Sequence, residues 1–87
     1  MIALLNGELV HHESNRGIVD VNGVGYEVFA TTSALERWAS EGRVRVHVST
    51  QVREDAITLY AFEGTTDRAS FLALMTVQGV GPKVALA

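Results

Sequence analysis

The chain has 87 residues, 47% hydrophobic and 20% charged, enough apolar content for one small domain with a core and too much for intrinsic disorder. It contains no cysteine, which excludes disulfide frameworks and thiolate metal sites and fits a reducing, cytoplasmic setting. Seven basic residues against ten acidic ones give a formal charge of −3; most nucleic-acid binders carry the opposite sign, although a small basic surface can sit on an acidic protein.

The opening Met1-Ile2-Ala3-Leu4-Leu5 lacks a basic flank and reaches Glu8 too soon for a signal peptide. No apolar run approaches the ~20 residues of a membrane helix, so a soluble chain without membrane association is expected. Period-two alternation then governs the first two thirds. Ile2 to Leu5 and Glu8 to His12 read as two strands separated by an Asn6-Gly7 turn. Gly17 to Val21 and Val24 to Phe29 follow, bounded by the turn residues Ser14-Asn15 and Asn22-Gly23. Asn22-Gly23 is the sharpest hairpin signal, because both residue types accept the positive φ of a tight two-residue turn. Thr32 to Trp38 loses the alternation and predicts a short helix, capped by the hydroxyl of Thr32 or Ser33.

Arg43 to Val52 is the clearest strand: Val44, Val46, Val48, Thr50 and Val52 share one face, expected to be buried, and Arg43, Arg45, His47, Ser49 and Gln51 share the other. Ile57 to Ala61 is the last strand. Five or six short strands leave exposed edges unless the sheet curls and closes. The fold class predicted is therefore mainly β, a small OB-fold barrel, followed by the start of a helical helix-hairpin-helix domain.

After Phe62 the pattern changes. Gly64-Thr65-Thr66-Asp67 supplies a turn, a capping hydroxyl and an acidic first-turn residue, and Phe71, Leu74, Met75 and Gln78 recur at helical spacing. The expected division is a barrel domain over 1–63 and a helical segment over 64–87. Its first helix should stop before Gly79, and Pro82 suits the first position of the next helix, where a missing N–H costs nothing. That second helix has only about a turn and a half before the sequence stops, too little to stand alone, so further helical structure beyond Ala87 is expected.

Two stretches can carry chemistry. Val77-Gln78-Gly79-Val80-Gly81-Pro82-Lys83-Val84-Ala85 combines a helix end, a glycine-bracketed turn and a helix start. Gly79 and Gly81 let the turn amides approach a phosphate, Val80 lies between them, the following helix points free N–H groups at the same anion, and Lys83 adds charge. The same pattern also suits an ordinary corner between two helices. Val52-Arg53-Glu54-Asp55-Ala56 places two adjacent carboxylates, Glu54 and Asp55, at a strand end. They can hold Mg²⁺, repel DNA phosphates, or simply be a solvated hairpin turn. His11 and His12, neighbours on a strand, point to opposite faces and suit metal binding poorly, and His47 lies on a polar face. No nucleophile-base order, Walker loop or dinucleotide fingerprint is present, so no catalytic residue, metal or cofactor is expected. Trp38, Tyr26, Phe29, Tyr60 and Phe62 offer base-stacking candidates, with the core as the competing destination for most.

Taken in order, Met-Ile-Ala-Leu-Leu-Asn-Gly, Val21 to Val28, Val52 to Ala56, Leu59-Tyr60-Ala61-Phe62 and Gly79-Val80-Gly81-Pro82-Lys83 resemble the RuvA family over essentially the whole chain. Ala61 departs from the family's Leu-Tyr-Gly-Phe pattern, and Glu63 to Asp67 also differs. The resemblance implies a non-catalytic DNA-binding subunit, a homotetramer, that holds an open four-way (Holliday) junction during recombination and repair. It also implies that the motor is a separate hexameric ATPase, RuvB, docking on a domain beyond this stretch. It further implies that Glu54 and Asp55 form an acidic pin that repels phosphates at the junction centre. Gly79, Val80, Gly81 and Lys83 would grip the DNA backbone without reading sequence. The other readings to be weighed are a metal-dependent nuclease using Glu54 and Asp55, and an oligomerisation or protein-binding barrel with little DNA affinity.

Overall fold

The structure is a computed structural model that describes residues 1–75. Its elements are β1 (Leu4–Glu13), β2 (Arg16–Val21), β3 (Val24–Phe29), α1 (Thr32–Ser40), β4 (Val44–Arg53), β5 (Ala56–Phe62) and α2 (Thr65–Met75). The strands close into a barrel in the order β1-β2-β3-β5-β4. All neighbouring strands are antiparallel except β3 and β5, which run parallel through only two partner pairs, Val28↔Leu59 and Phe29↔Tyr60. A five-stranded closed barrel with a helix between its third and fourth strands has the OB-fold layout. The expected mainly β barrel is therefore what the chain forms.

The Asn6-Gly7 turn is not there. Both residues lie inside β1, where Asn6 pairs with Arg45 and Gly7 with Val44, so the two expected strands are one. The glycine answers to tertiary crowding: a Cβ at Gly7 would run into the carbonyl oxygen of Asp20 on β2. Gly7→Ala is accordingly expected to lower stability by roughly 1–3 kcal/mol, the usual range for overpacking, as read by urea unfolding; a change below about 0.5 kcal/mol would contradict the close approach. Further along β1 the register shifts between Leu9 and His11, and this bulge ends the alternation. Leu5, Gly7 and Leu9 face inward before it, and every residue from Val10 to Glu13 is exposed after it.

Asn22 and Gly23 do form the two-residue turn, with φ of 52° and 91°, and the Gly23 amide donates to Asp20 Oδ1 at 2.7 Å. Left-handed backbone at both central positions is the type I′ geometry that matches strand twist. Helix α1 is capped one residue earlier than predicted: Thr31 Oγ1 accepts from the Ala34 amide at 3.2 Å, and Thr32 instead donates to the Ser14 carbonyl. The helix lays Ala34, Leu35 and Trp38 into the main core with Val19, Val28, Val46 and Val48. Trp38, Tyr60 and Phe62 are buried, and Phe29 and Tyr26 are half-buried against core residues, so these aromatic side chains serve packing.

Strand β4 follows the predicted pattern only in its first half. Val44, Val46 and Val48 are buried, whereas Val52 is 62% exposed. Ser49, expected on the solvent face, is buried and accepts from Gln51 Nε2 at 2.8 Å. The cause lies in α2, which packs on β4 and β5 and so covers one end of the polar face. Gly64 rather than a threonine hydroxyl precedes α2, and its carbonyl accepts from the Arg68 amide at 3.2 Å. Of the expected apolar stripe, Phe71 is buried and Leu74 is 46% exposed; half-buried Leu72 joins the aromatic cluster of Tyr60, Phe62 and Phe71 instead. Gln78, Gly79 and Pro82 lie outside the described residues.

Candidate nucleic-acid interface

The acidic pair occupies the two-residue turn between β4 and β5, directly after the partner pair Arg53↔Ala56. How far this hairpin stands out from the barrel follows from where its neighbours stop. On one side β1 pairs with β4 no further than Leu4↔His47, extended by the Val48 amide donating to the Ala3 carbonyl and the Thr50 hydroxyl donating to the Ile2 carbonyl. On the other, β3 pairs with β5 only from Val28↔Leu59 onward. Gln51 to Arg53 and Ala56 to Thr58 are therefore paired only with each other. The projecting part shows two faces, as strand alternation requires: Val52 opposite Ile57, 62% and 70% exposed, and Gln51, Arg53 and Thr58 on the reverse.

Glu54 and Asp55 are both exposed at the tip. The described residues include two ion pairs, Arg16–Glu27 and Arg37–Glu63, and neither involves the tip or the adjacent Arg53. Nor does the backbone demand acids there. Among the described residues the only non-glycine positions with positive φ are Ser14 and Asn22, so the turn at Glu54 and Asp55 uses backbone that any residue adopts. A glutamate in such a turn is not selected by turn geometry. What the tip presents is two exposed carboxylates outside any ion pair on a narrow support, an arrangement suited to repelling phosphates at short range.

A hydrolytic metal site needs more than this pair. Among the described residues no group of three or more histidine, aspartate or glutamate side chains converges, and His11 and His12 lie on the exposed end of β1 with His47 half-buried on β4. The Tyr60 phenol, near the base of the hairpin, is held above its ordinary pKa by burial, against a smaller opposing pull from the Arg53 cation. The backbone-gripping candidates Gly79, Val80, Gly81 and Lys83 lie outside the described residues.

One contact at the hairpin base gave no local signal in the sequence: Arg68 Nε on α2 donates to the Val48 carbonyl on β4 at 2.9 Å. The only available hint is that Arg68 and Phe71 are spaced to share a helix face.

Residues 1–61 match the family model described as the RuvA N terminal domain. The chain belongs to the RuvA family. Its 87 residues are 52% identical over an 88-residue alignment to the Holliday junction branch migration complex subunit RuvA of Gluconacetobacter diazotrophicus, covering all of this chain and 44% of that protein. The subunit of the same name from Zymomonas mobilis is 49% identical, again over the whole chain and 41% of its own length. That from Trichlorobacter lovleyi is 45% identical over 98% of this chain and 42% of its length. This RuvA-family chain thus spans less than half the length of the curated relatives it matches. The acidic turn falls inside the matched domain, and Gly79 to Lys83 falls beyond it but within the stretch shared with the relatives. No helix among the described residues is long and apolar enough to cross a membrane.

Proposed function

We propose that this chain recognises four-way DNA junctions by their structure, as the DNA-binding part of a RuvA subunit in a cytoplasmic branch-migration complex for recombination and repair. The subunit does no chemistry itself; the separate RuvB ATPase is the motor. The observation that carries this reading is the tip of the β4–β5 hairpin, where Glu54 and Asp55 stand exposed and outside any ion pair on a support paired to nothing but itself. Membership of the family and the names of the relatives support it.

In this reading the barrel of residues 1–63 carries the acidic pin and the contacts of a homotetramer, and residues 64–87 begin the helix-hairpin-helix part. Four copies around a junction bring four acidic tips to its centre, where strands separate and continuous duplex is rejected. Gly79, Val80 and Gly81 offer main-chain amides to phosphates of the arms, with Lys83 beside them. Such contacts position DNA and carry no sequence information. The negative total of the chain is compatible with this division, because the pin requires acids and the gripping surface is local.

The proposal is tested by competition in the full-length protein. A labelled four-way junction should be displaced equally by unlabelled junctions of different sequence and poorly by linear duplex. Lys83→Ala should weaken binding to all sequences alike and reduce the slope of log K against log salt by about 0.9 or less, the value for one phosphate contact. Loss confined to some sequences would contradict backbone gripping.

The exposed Val52 and Ile57 pair favours a second reading, an oligomerisation or protein-binding barrel with little DNA affinity. Self-association that is insensitive to salt, with no junction preference in the full-length protein, would establish it instead.

A further inference from the structure

We propose that Arg68 and Phe71 are positioning residues that lock α2 to the hairpin carrying Glu54 and Asp55, and so fix the acidic tip relative to the DNA-gripping segment that follows α2 in sequence. The inference rests on the junction-binding reading above and adds to it the device that holds its two halves in register.

Two attachments carry the argument. Arg68 Nε donates to the Val48 carbonyl at 2.9 Å in a partly buried setting. One turn further along the same face, the Phe71 ring is 2% exposed, with ring centroids 5.0 Å from both Tyr60 and Phe62. A single contact would leave a helix free to pivot about it, whereas two contacts a turn apart resist both roll and tilt. The receiving groups are the two arms of the acidic hairpin: Val48 lies on β4, and Tyr60 and Phe62 lie on β5. The clamp therefore closes on the structure that bears the tip. The Arg37–Glu63 pair at 2.7 Å lies at the surface, where such pairs contribute little, and it does not substitute for the clamp.

Lever geometry makes the clamp consequential. From Val48 to Glu54 the strand covers about 20 Å at ~3.3 Å per residue, so a 10° tilt of α2 relative to the hairpin displaces tip against helix by about 3.5 Å. That is close to the ~3.4 Å rise per nucleotide of one DNA strand. A loosened clamp thus blurs the placement of the acids by about one nucleotide while leaving the phosphate-gripping groups intact. Selectivity for junctions should fall further than overall affinity for DNA.

The experiment compares junction and linear-duplex binding by the full-length protein across a salt series, for the parent, Arg68→Met, Arg68→Lys and Phe71→Leu. Arg68→Met removes the donor and keeps the apolar stem. It is expected to cut the junction-over-duplex ratio at least fivefold, with duplex affinity within twofold of the parent and the salt slope unchanged. Arg68→Lys, which keeps a donor, should recover part of the ratio. Phe71→Leu, which keeps the site filled without the ring contacts, should lower the ratio independently, and it decides the matter if Arg68→Met does not fold. A ratio within twofold of the parent in the folded variants overturns the inference. So does uniform weakening with a slope reduced by about 0.9, which would make Arg68 a phosphate contact. A parent without junction preference would instead overturn the functional reading beneath it.

Discussion

Replacing Glu54 by Gln and Asp55 by Asn together is expected to strengthen binding to linear duplex and to reduce the junction preference of the full-length protein about tenfold. The magnitude follows from Coulomb's law. A carboxylate ~5.5 Å from a phosphate repels it by roughly 0.75 kcal/mol at the dielectric constant of water, and such a distance is shorter than the Debye length at physiological salt. Two carboxylates give about 1.5 kcal/mol, which is roughly a factor of ten. The amides match the acids in size, and the turn they occupy lacks the positive φ that constrains Asn22 and Gly23. Folding should therefore be nearly unaffected, and a thermal melt should shift by no more than a degree or two for a change of ~0.5 kcal/mol or less. Parallel titrations of junction and duplex at one salt concentration check the result. An unchanged ratio would make the tip an ordinary solvated turn.

The second large effect concerns the barrel itself. Leu35→Ala is expected to destabilise the protein by ~3 kcal/mol, within the range for emptying a fully buried leucine site. Leu35 is fully buried in the main cluster, and a Cβ built at Gly17 on β2 would come within 2.9 Å of its Cδ2. The surroundings are thus closely packed around it, and a close-packed interior collapses poorly into a void. A loss of that size is a large part of the 5–15 kcal/mol that typically holds a domain together. Val10→Ala, at the exposed bulge of β1, is the matched comparison and should change stability by no more than about 0.5 kcal/mol. Chemical denaturation of the two variants beside the parent reads both numbers, and equal losses would mean that α1 does not close the barrel core.

What the sequence discloses and what it hides can be separated by range of interaction. Asn22-Gly23 is legible because its backbone requirement is local. Val44, Val46 and Val48 are legible because alternation on a half-buried strand is local too. Barrel closure follows from counting short strands whose edges need partners. Gly7 misleads, since the atom that excludes a side chain there belongs to Asp20 on another strand. Val52 misleads for a related reason: its alternation is intact, but the neighbouring strands stop short of it. Ser49 is buried by α2, an element some twenty residues away in sequence.

The site divides in the same way. That Glu54 and Asp55 occupy a hairpin turn is readable from the residues flanking them, whereas the pin role proposed for them enters only through likeness to the RuvA family. The protruding support beneath them becomes visible only in the strand register. Arg68 is legible only in its helical spacing to Phe71, because a guanidinium bonded to a strand carbonyl twenty residues earlier leaves no other mark on the local pattern.

Recognition of DNA by its branched form is read from equilibrium binding of the full-length protein to a four-way junction and to a linear duplex of equal arm length. Both are titrated at one stated salt concentration, since affinities without it cannot be compared. A junction preference of about a hundredfold or more is expected, equivalent to ~2.7 kcal/mol. Equal affinity for the two DNAs would contradict it and leave the chain a binding barrel that shares the family's fold without its selectivity.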